Sequence, residues 1–468
     1  MRGSADTWAN RLQRTAGTRT LALLIERAAA LLDGDASRMA LVTFSTRVLG
    51  AALAYVSQIL LARWMGASDY GVFSVAWTWI IVLGIFACIG FSSSPNRFIP
   101  QYLKSGDLER LRGFLVFSRA GSLFAGLGLA AVGMVLVWVL GDHVSPDYVQ
   151  PLTVILLALP LFALGGVQDG IARSYDWTSL AMLPTYIWRP LVIPALVLGL
   201  LLVNGSVSAF DAAVAAVAAT WIVALYQLLA LNRRLRSAVP RGKRTMDVPT
   251  WLLISLPMLL VEGFLQLIVS ADVIMVSFWH SPDEVAVYFA ASKTLALVHF
   301  VYFAVRAASA HRFASFIHSD DHDGLANYVH RASRWTFWLS LGTGLALLVV
   351  APLLLSLFGE GFSSGYPILA VLLVGALMRA AVGPADALLS MSGHQKICAG
   401  IYGATFAMNV GLNLMLIPAF GLLGAAIATS ISIAFEASSL AFAAWRRLEV
   451  KTFFLARAAV TRDDGGMA

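Results

Sequence analysis

Nine ionisable side chains lie where a chain this apolar should carry none. Arg47, Arg189, Lys293 and Arg379, with Arg119 nearer a segment end, interrupt long apolar stretches, as do Glu262, Asp272, Asp386 and Glu436; Asp169 and Asp211 sit closer to stretch ends. A charge at bilayer depth costs roughly 2.5 to 3.5 kcal/mol even on the mildest insertion scale, so such residues meet a partner or face a wet cavity rather than lipid. Arg47 is eight residues into its stretch, about 12 Å at the helical rise, and Lys293 is nine residues in from the opposite end; both are too deep to snorkel easily. Arg119 is shallow enough to do so. Arg189 is bracketed by Pro184, Pro190 and Pro194, which predicts a kinked helix whose freed backbone groups face protein or water.

Two chemistries follow. Deep cations hold an anionic ligand most strongly where water is scarce, which makes Arg47, Arg189, Lys293 and Arg379 the candidate ligand-binding set. Each is equally suited to an internal salt bridge, Lys293 with Asp272 or Arg379 with Asp386 two turns along one helix. A carboxylate withdrawn from water can titrate, so Glu262, Asp272, Glu436 and Asp386 are candidates for proton or sodium coupling, with charge compensation as the alternative. His299 is expected to be an ordinary hydrogen-bonded buried histidine.

The elements that position these groups are membrane spans. With 59% hydrophobic and 13% charged residues and a mean hydropathy of +0.77, the chain cannot cover a soluble surface of its size. A bilayer core about 30 Å thick takes about 20 apolar helical residues. That ruler predicts an all-α chain of twelve spans, at 39–62, 70–94, 114–140, 150–172, 180–203 and 209–231, then 249–279, 284–305, 333–358, 364–391, 397–417 and 421–445. Residues 1–38 precede the first span and 446–468 follow the last. Within the former, Leu21, Leu24, Ile25, Ala28, Leu31 and Leu32 share one helical face, as in a helix lying on the inner membrane surface. Glu26 and Arg27 interrupt that stretch, so it does not resemble a cleaved leader.

Of the 33 Lys and Arg residues, all but Arg63 and the five inside spans fall on one side of this layout, in the N-terminal segment, the 95–113 loop, Arg173, the 232–248 linker, the 306–334 region, Lys396 and the tail. Basic loops stay cytosolic, so both termini are expected in the cytosol. The net charge of +7 is then a topology signal with some attraction to anionic membrane lipids, not a nucleic-acid footprint. The linker divides the spans into an N-lobe, 39–231, and a C-lobe, 249–445. A shift of 215 positions pairs Trp64 with Trp279, Asp69 with Glu284, Val72 with Val287, Phe73 with Tyr288, Ala76 with Ala291, and Arg97-Phe98 with Arg312-Phe313. Two parallel repeats of six spans, with a ligand handled between them, are expected.

Enzyme chemistry finds little support. The outer loops are short, Asp320, Asp321 and Asp323 form a run typical of a solvated loop, and no metal-ligand spacing or cofactor motif stands out. Cys88 and Cys398 lie in apolar segments as small hydrophobes.

The stretch Leu60-Leu61-Ala62-Arg63-Trp64-Met65-Gly66-Ala67-Ser68-Asp69-Tyr70-Gly71-Val72-Phe73 resembles the first hairpin of the polysaccharide transporter family within the multidrug/oligosaccharidyl-lipid/polysaccharide (MOP) flippase superfamily. Asp272-Val273-Ile274-Met275 leading to Val287-Tyr288-Phe289-Ala290-Ala291, and Ile417-Pro418 with Phe420-Gly421-Leu422-Leu423-Gly424-Ala425-Ala426, are similar to that family too. The resemblance spans about 39–445, on motifs that are turns and helix starts. It implies a flippase in the bacterial inner membrane that moves a polyprenyl-pyrophosphate-linked oligosaccharide to the outer leaflet for lipopolysaccharide or exopolysaccharide synthesis, by alternating access around a cationic cavity. A polysaccharide polymerase and assembly proteins would be its partners. Arginine grips phosphate oxygens through its fork and lysine adds a mobile charge, so the four deep cations suit the pyrophosphate. A multidrug exporter on the same fold is the rival, and its organic cations would favour acidic and aromatic walls.

Overall fold

Glycine and proline punctuate the chain into helices, and the first break shows how closely they are set. The computed structural model describes residues 35–141, 145–319 and 321–455; the expected surface helix at 20–32 lies outside them. Helix α1 (Asp35–Met65) turns into α2 (Ala67–Ala87) through Gly66 alone, at φ 80°, a conformation that costs glycine little and other residues more. In the first turn of α2, Asp69 accepts the backbone N–H of Ala209 at 2.7 Å, so the motif carboxylate caps a neighbouring helix.

The remaining N-lobe elements are α3 (Pro95–Ser105), α4 (Leu108–Val139), α5 (Pro146–Ile155), α6 (Leu159–Ser174), α7 (Thr178–Leu183), α8 (Arg189–Asn204) and α9 (Ala209–Ala238). A 3-10 turn at Leu156–Ala158, just ahead of Pro160, joins α5 to α6 as one span, and a π-helical stretch at Pro184–Trp188 joins α7 to α8 as another. The second irregularity sits where the proline cluster predicts a kink. Ser208 and Asp211 form a reciprocal capping box on α9, which satisfies two orphan N–H groups and gives Asp211 a structural role. Arg119 donates to Asn232 Oδ1 at 2.6 Å and to the Leu115 carbonyl at 2.7 Å, so it too is structural.

The C-lobe comprises α10 (Val248–Val276), α11 (Pro282–His318), α12 (His322–Ser356), α13 (Tyr366–Val382), α14 (Ala385–Met391) and α15 (Gln395–Leu448). Among the described residues, eleven helical runs are long and apolar enough to cross a membrane. The last, of 54 residues, is broken at Gly421, φ 60° and ψ −140°. An unbroken helix of that length would measure about 80 Å, well over twice the bilayer core, so α15 supplies two spans and the described residues hold twelve, six to a lobe.

Several boundaries differ from expectation, and those at α11, α12 and α13 bear on the site. Helix α11 runs on to His318 and α12 begins at His322, because their polar extensions remain helical beyond the apolar core. The span expected at 364–391 stops at Val382. Gly383 adopts φ 68° with Pro384 behind it, and the chain restarts as α14. Arg379 and Asp386 are therefore on different helices, which removes the salt bridge expected between them along one helix.

The two lobes repeat each other where the 215-residue shift predicts. Ala67 opens α2 and Pro282 opens α11, and the pairs Phe73/Tyr288, Ala76/Ala291 and Phe98/Phe313 are all buried. On the side away from the basic loops the lobes meet tightly. A Cβ on Gly71 would lie 1.9 Å from the Pro282 carbonyl oxygen, Tyr70 packs against the rings of Phe289, Phe358 and Phe362, and Tyr55 and Thr294 share a 3.0 Å hydrogen bond. Arg63 donates to the carbonyls of Leu357 at 2.7 Å and Ser356 at 2.9 Å. On the basic side the start of α10 is seated on the N-lobe, with Trp251 fully buried and its Nε1 donating to the Tyr102 hydroxyl at 2.8 Å.

Candidate functional site

Between these two contact zones the lobes part, with α10 keeping contact with the N-lobe from Trp251 as far as Glu262, which bonds Ser92, and Gly263, where an added Cβ would lie 3.0 Å from the Phe86 ring. The result is a cavity of about 730 Å³ walled by both halves of the chain. Ser92, Ser93, Asp169, Arg173 and Tyr186 come from the N-lobe; the C-lobe supplies α10 with Glu262 and Asp272, α11 with Lys293, His299, Tyr302 and Arg306, then Arg379, Asp386, Thr429 and Glu436. The cavity runs from mid-span depth to the basic edge of the protein.

Of the four cations singled out from sequence, Lys293 and Arg379 line this cavity and Arg47 and Arg189 do not. Arg189 is buried within the N-lobe, its guanidinium 4.6 Å from the centre of the Phe162 ring and its Nε without a partner. Arg47 Nε is likewise buried and unpartnered. All four carboxylates singled out, Glu262, Asp272, Asp386 and Glu436, line the cavity.

Each charge has a distinct arrangement. Arg379 Nη2 donates to both oxygens of Glu436, at 2.8 and 2.7 Å. Arg306 Nε donates to Asp386 Oδ2 at 2.6 Å, and the other oxygen of Asp386 accepts the Tyr302 hydroxyl at 3.0 Å. Asp272 accepts from the Tyr288 hydroxyl at 2.5 Å, the Thr429 hydroxyl at 3.3 Å and the Val273 N–H at 2.9 Å. Glu262 accepts from Ser92 and Ser93 across the lobe boundary. Asp169 accepts from Thr185 at 2.7 Å and Gln227 at 2.6 Å.

Lys293 stands apart. Its ammonium lies 4.6 Å from the centre of the Phe289 ring, and among the described residues no carboxylate is within ion-pair distance, which excludes the salt bridge expected with Asp272. An aromatic face attracts a cation but leaves its formal charge uncompensated.

Four basic and five acidic residues line the cavity. The expectation of a cationic cavity is therefore corrected to one of mixed charge, in which Arg306 and Arg379 are paired with carboxylates and Lys293 has none at ion-pair distance among the described residues. Arg173 and Arg306, assigned from sequence to basic loops, are part of the wall. The signal for Arg306 was present: Lys293, Ala296, His299, Tyr302 and Arg306 recur every three or four residues, a polar stripe along α11. No group of three or more His, Cys, Asp or Glu among the described residues is placed to hold a metal ion.

Two six-helix lobes closed at one end around a cavity between them define a multi-pass membrane protein with a chamber walled by both halves. The chain belongs to the polysaccharide biosynthesis protein family, whose profile matches residues 37–310; the MatE profile also matches residues 257–415. Among solved structures, the inward-facing conformation of a multidrug resistance MATE family transporter of the MOP superfamily aligns with a TM-score of 0.69 at 16% identity, over 86% of this chain and 94% of that one. The lipid II flippase MurJ in its inward closed conformation gives 0.69 at 14% identity, over 86% and 87%. An outward-facing MATE family transporter gives 0.63 at 17% identity, over 90% and 97%. Curated protein sequences yield no match. At these identities the structural likeness establishes the fold.

Proposed function

We propose that this protein is a flippase carrying a polyprenyl-pyrophosphate-linked oligosaccharide from the cytosolic to the outer leaflet of a bacterial inner membrane, for surface polysaccharide synthesis, with both termini in the cytosol. One observation carries the reading: Lys293, at mid-membrane depth in the cavity wall, has no carboxylate within ion-pair distance among the described residues. A half-desolvated ammonium there is costly when empty and well suited to an anionic group when occupied. Family membership supports a glycan cargo. The excess of basic residues at the cavity's open edge supports entry from the cytosolic side, and the closure around Gly71, Tyr70 and Arg63 supports a carrier sealed toward the outside. The isoprenoid tail would remain in lipid while pyrophosphate and sugars cross through the cavity, with Arg379 and Lys293 as phosphate contacts and Glu262, Asp272, Asp386 and Glu436 available for proton or sodium coupling. Arg47 and Arg189 lie away from the wall in this state.

The mixed charge of the wall, with Tyr186, Tyr302 and Phe303 among it, favours a second reading, export of small organic cations. Gene deletion with leaflet-resolved lipid extraction separates the two. A pyrophosphate-linked glycan accumulating in the cytosolic leaflet, restored by the wild-type gene but not by Lys293→Gln, is the expected result. Unchanged glycan lipids together with drug hypersensitivity would replace the flippase by the exporter.

A further inference from the structure

The five carboxylates in the wall are at odds with an anionic cargo unless some of them do a job in its absence. Resting on the anionic-cargo reading, we propose that Glu436 and Asp386 are stand-ins for the cargo's phosphates: in the empty cavity they occupy Arg379 and Arg306, and an entering pyrophosphate displaces them.

The geometry of both pairs is that of an occupied but unsaturated cation. A guanidinium holds a carboxylate best through two nitrogens facing two oxygens. Arg379 instead meets Glu436 through Nη2 alone, which contacts both carboxylate oxygens, while its Nε is buried with no partner. Arg306 meets Asp386 through Nε alone, and its side chain is 40% exposed at the basic edge of the cavity. Arg306 therefore keeps exposed donors for a tetrahedral phosphate before its carboxylate lets go, and Arg379 keeps an Nε that its carboxylate leaves unsatisfied. Asp386 also has somewhere to stay, since the hydroxyls of Tyr302 at 3.0 Å and Tyr402 at 3.5 Å continue to donate to it.

The physical reason for such stand-ins lies in the return stroke. A carrier whose cations are met only by cargo must close over uncompensated charge when it resets empty, and a buried charge that has lost its partner is strongly destabilising. Carboxylates that clasp the arginines when phosphate leaves make the empty cavity nearly neutral and free to close. Lys293, with no stand-in, is open to the incoming anion at mid-membrane depth without a carboxylate having to be displaced. The cost is competition: Glu436 and Asp386 weaken cargo binding in order to permit turnover.

The test is binding of farnesyl pyrophosphate to the full-length protein in nanodiscs, with farnesol as the control lacking phosphate. Glu436→Gln and Asp386→Asn are each expected to bind the pyrophosphate about tenfold more tightly than wild type, the worth of one charge-assisted hydrogen bond removed from competition, with farnesol unchanged and glycan export in cells reduced. Arg379→Gln is expected to bind it about tenfold more weakly. If wild type binds and Arg379→Gln weakens binding, but both carboxamide variants bind no more tightly, the exchange is refuted and the anionic-cargo reading stands. If no form binds farnesyl pyrophosphate, both fall. Should Glu436→Gln fail to fold with Arg379 left alone, Asp386→Asn decides the question, because the tyrosine hydroxyls still have an oxygen to bond.

Discussion

Gly71 is the place where one methyl group should move the whole molecule. A Cβ there would sit 1.9 Å from the carbonyl oxygen of Pro282, 2.7 Å from its carbonyl carbon and 3.2 Å from its Cα. These are backbone atoms at the start of the opposite lobe's helix, so no rotamer change relieves the overlap. Overpacking of a fitted interior costs about 1 to 3 kcal/mol, and a backbone clash belongs at the top of that range. At about 3 kcal/mol, Gly71→Ala shifts the ratio of outer-closed to outer-open molecules by about 150-fold. Helix α2 itself should hold, since alanine is the better helix former by about 1 kcal/mol. The assay is a bismaleimide cross-link between Ala67→Cys and Ser364→Cys, which face one crevice between the lobes on that side, with buried Cys88 and Cys398 replaced by alanine. Cross-linking is expected to be high in the parent and to collapse in Gly71→Ala, while Gly128→Ala, with nothing within 4 Å of its Cβ, behaves as the parent. Equal yields in all three, with unchanged melting temperatures, would refute the claim that the outer seal depends on this approach.

Three further outcomes are expected. Lys293→Met removes an uncompensated ammonium from the cavity wall, so the melting temperature should hold or rise while farnesyl pyrophosphate affinity drops about tenfold; a loss of stability would show that the lysine is structural. Trp251→Phe keeps the ring contacts with Phe114 and Phe117 but leaves the buried Tyr102 hydroxyl without its donor, a cost of about 1 to 3 kcal/mol to be read from thermal unfolding. Gly383→Ala places a Cβ 2.4 Å from Ser333 Oγ at a φ of 68°, so it should destabilise by about 1 to 3 kcal/mol and disturb both Arg379 and Asp386, seen as weaker pyrophosphate binding than in a Gly400→Ala control with open space around it.

The spans were legible because hydropathy and the one-sided basic loops are physical requirements of insertion, and they need no tertiary information. The repeat was legible for a similar reason: Ala67 and Pro282 open equivalent helices, and their buried faces kept the same residue classes. Pairing was not legible. Whether Arg379 meets Asp386 or Glu436 depends on a break at Gly383 that reorients α14, and a Gly-Pro step inside an apolar stretch reads equally as a kink within one span. Depth alone could not separate Lys293, which lines the cavity, from Arg189, which is buried behind Phe162, because sequence fixes how far along a helix a charge sits and not which way it points. Arg306 was assigned to a loop because apolarity ends before the helix does.

The hairpin within α15 has a mechanical consequence. With a single left-handed residue, Gly421, between its arms, and a Cβ at Gly424 that would stand 2.0 Å from the Leu416 oxygen, there is no slack for one arm to slide on the other. Thr429 and Glu436 lie seven residues apart on the second arm, two helical turns on one face, the first fastened to Asp272 and the second to Arg379. A rod pinned at both points carries the two polar clusters together: any shift of this arm along its axis must move the Thr429 hydroxyl against Asp272 and Glu436 against Arg379 at once.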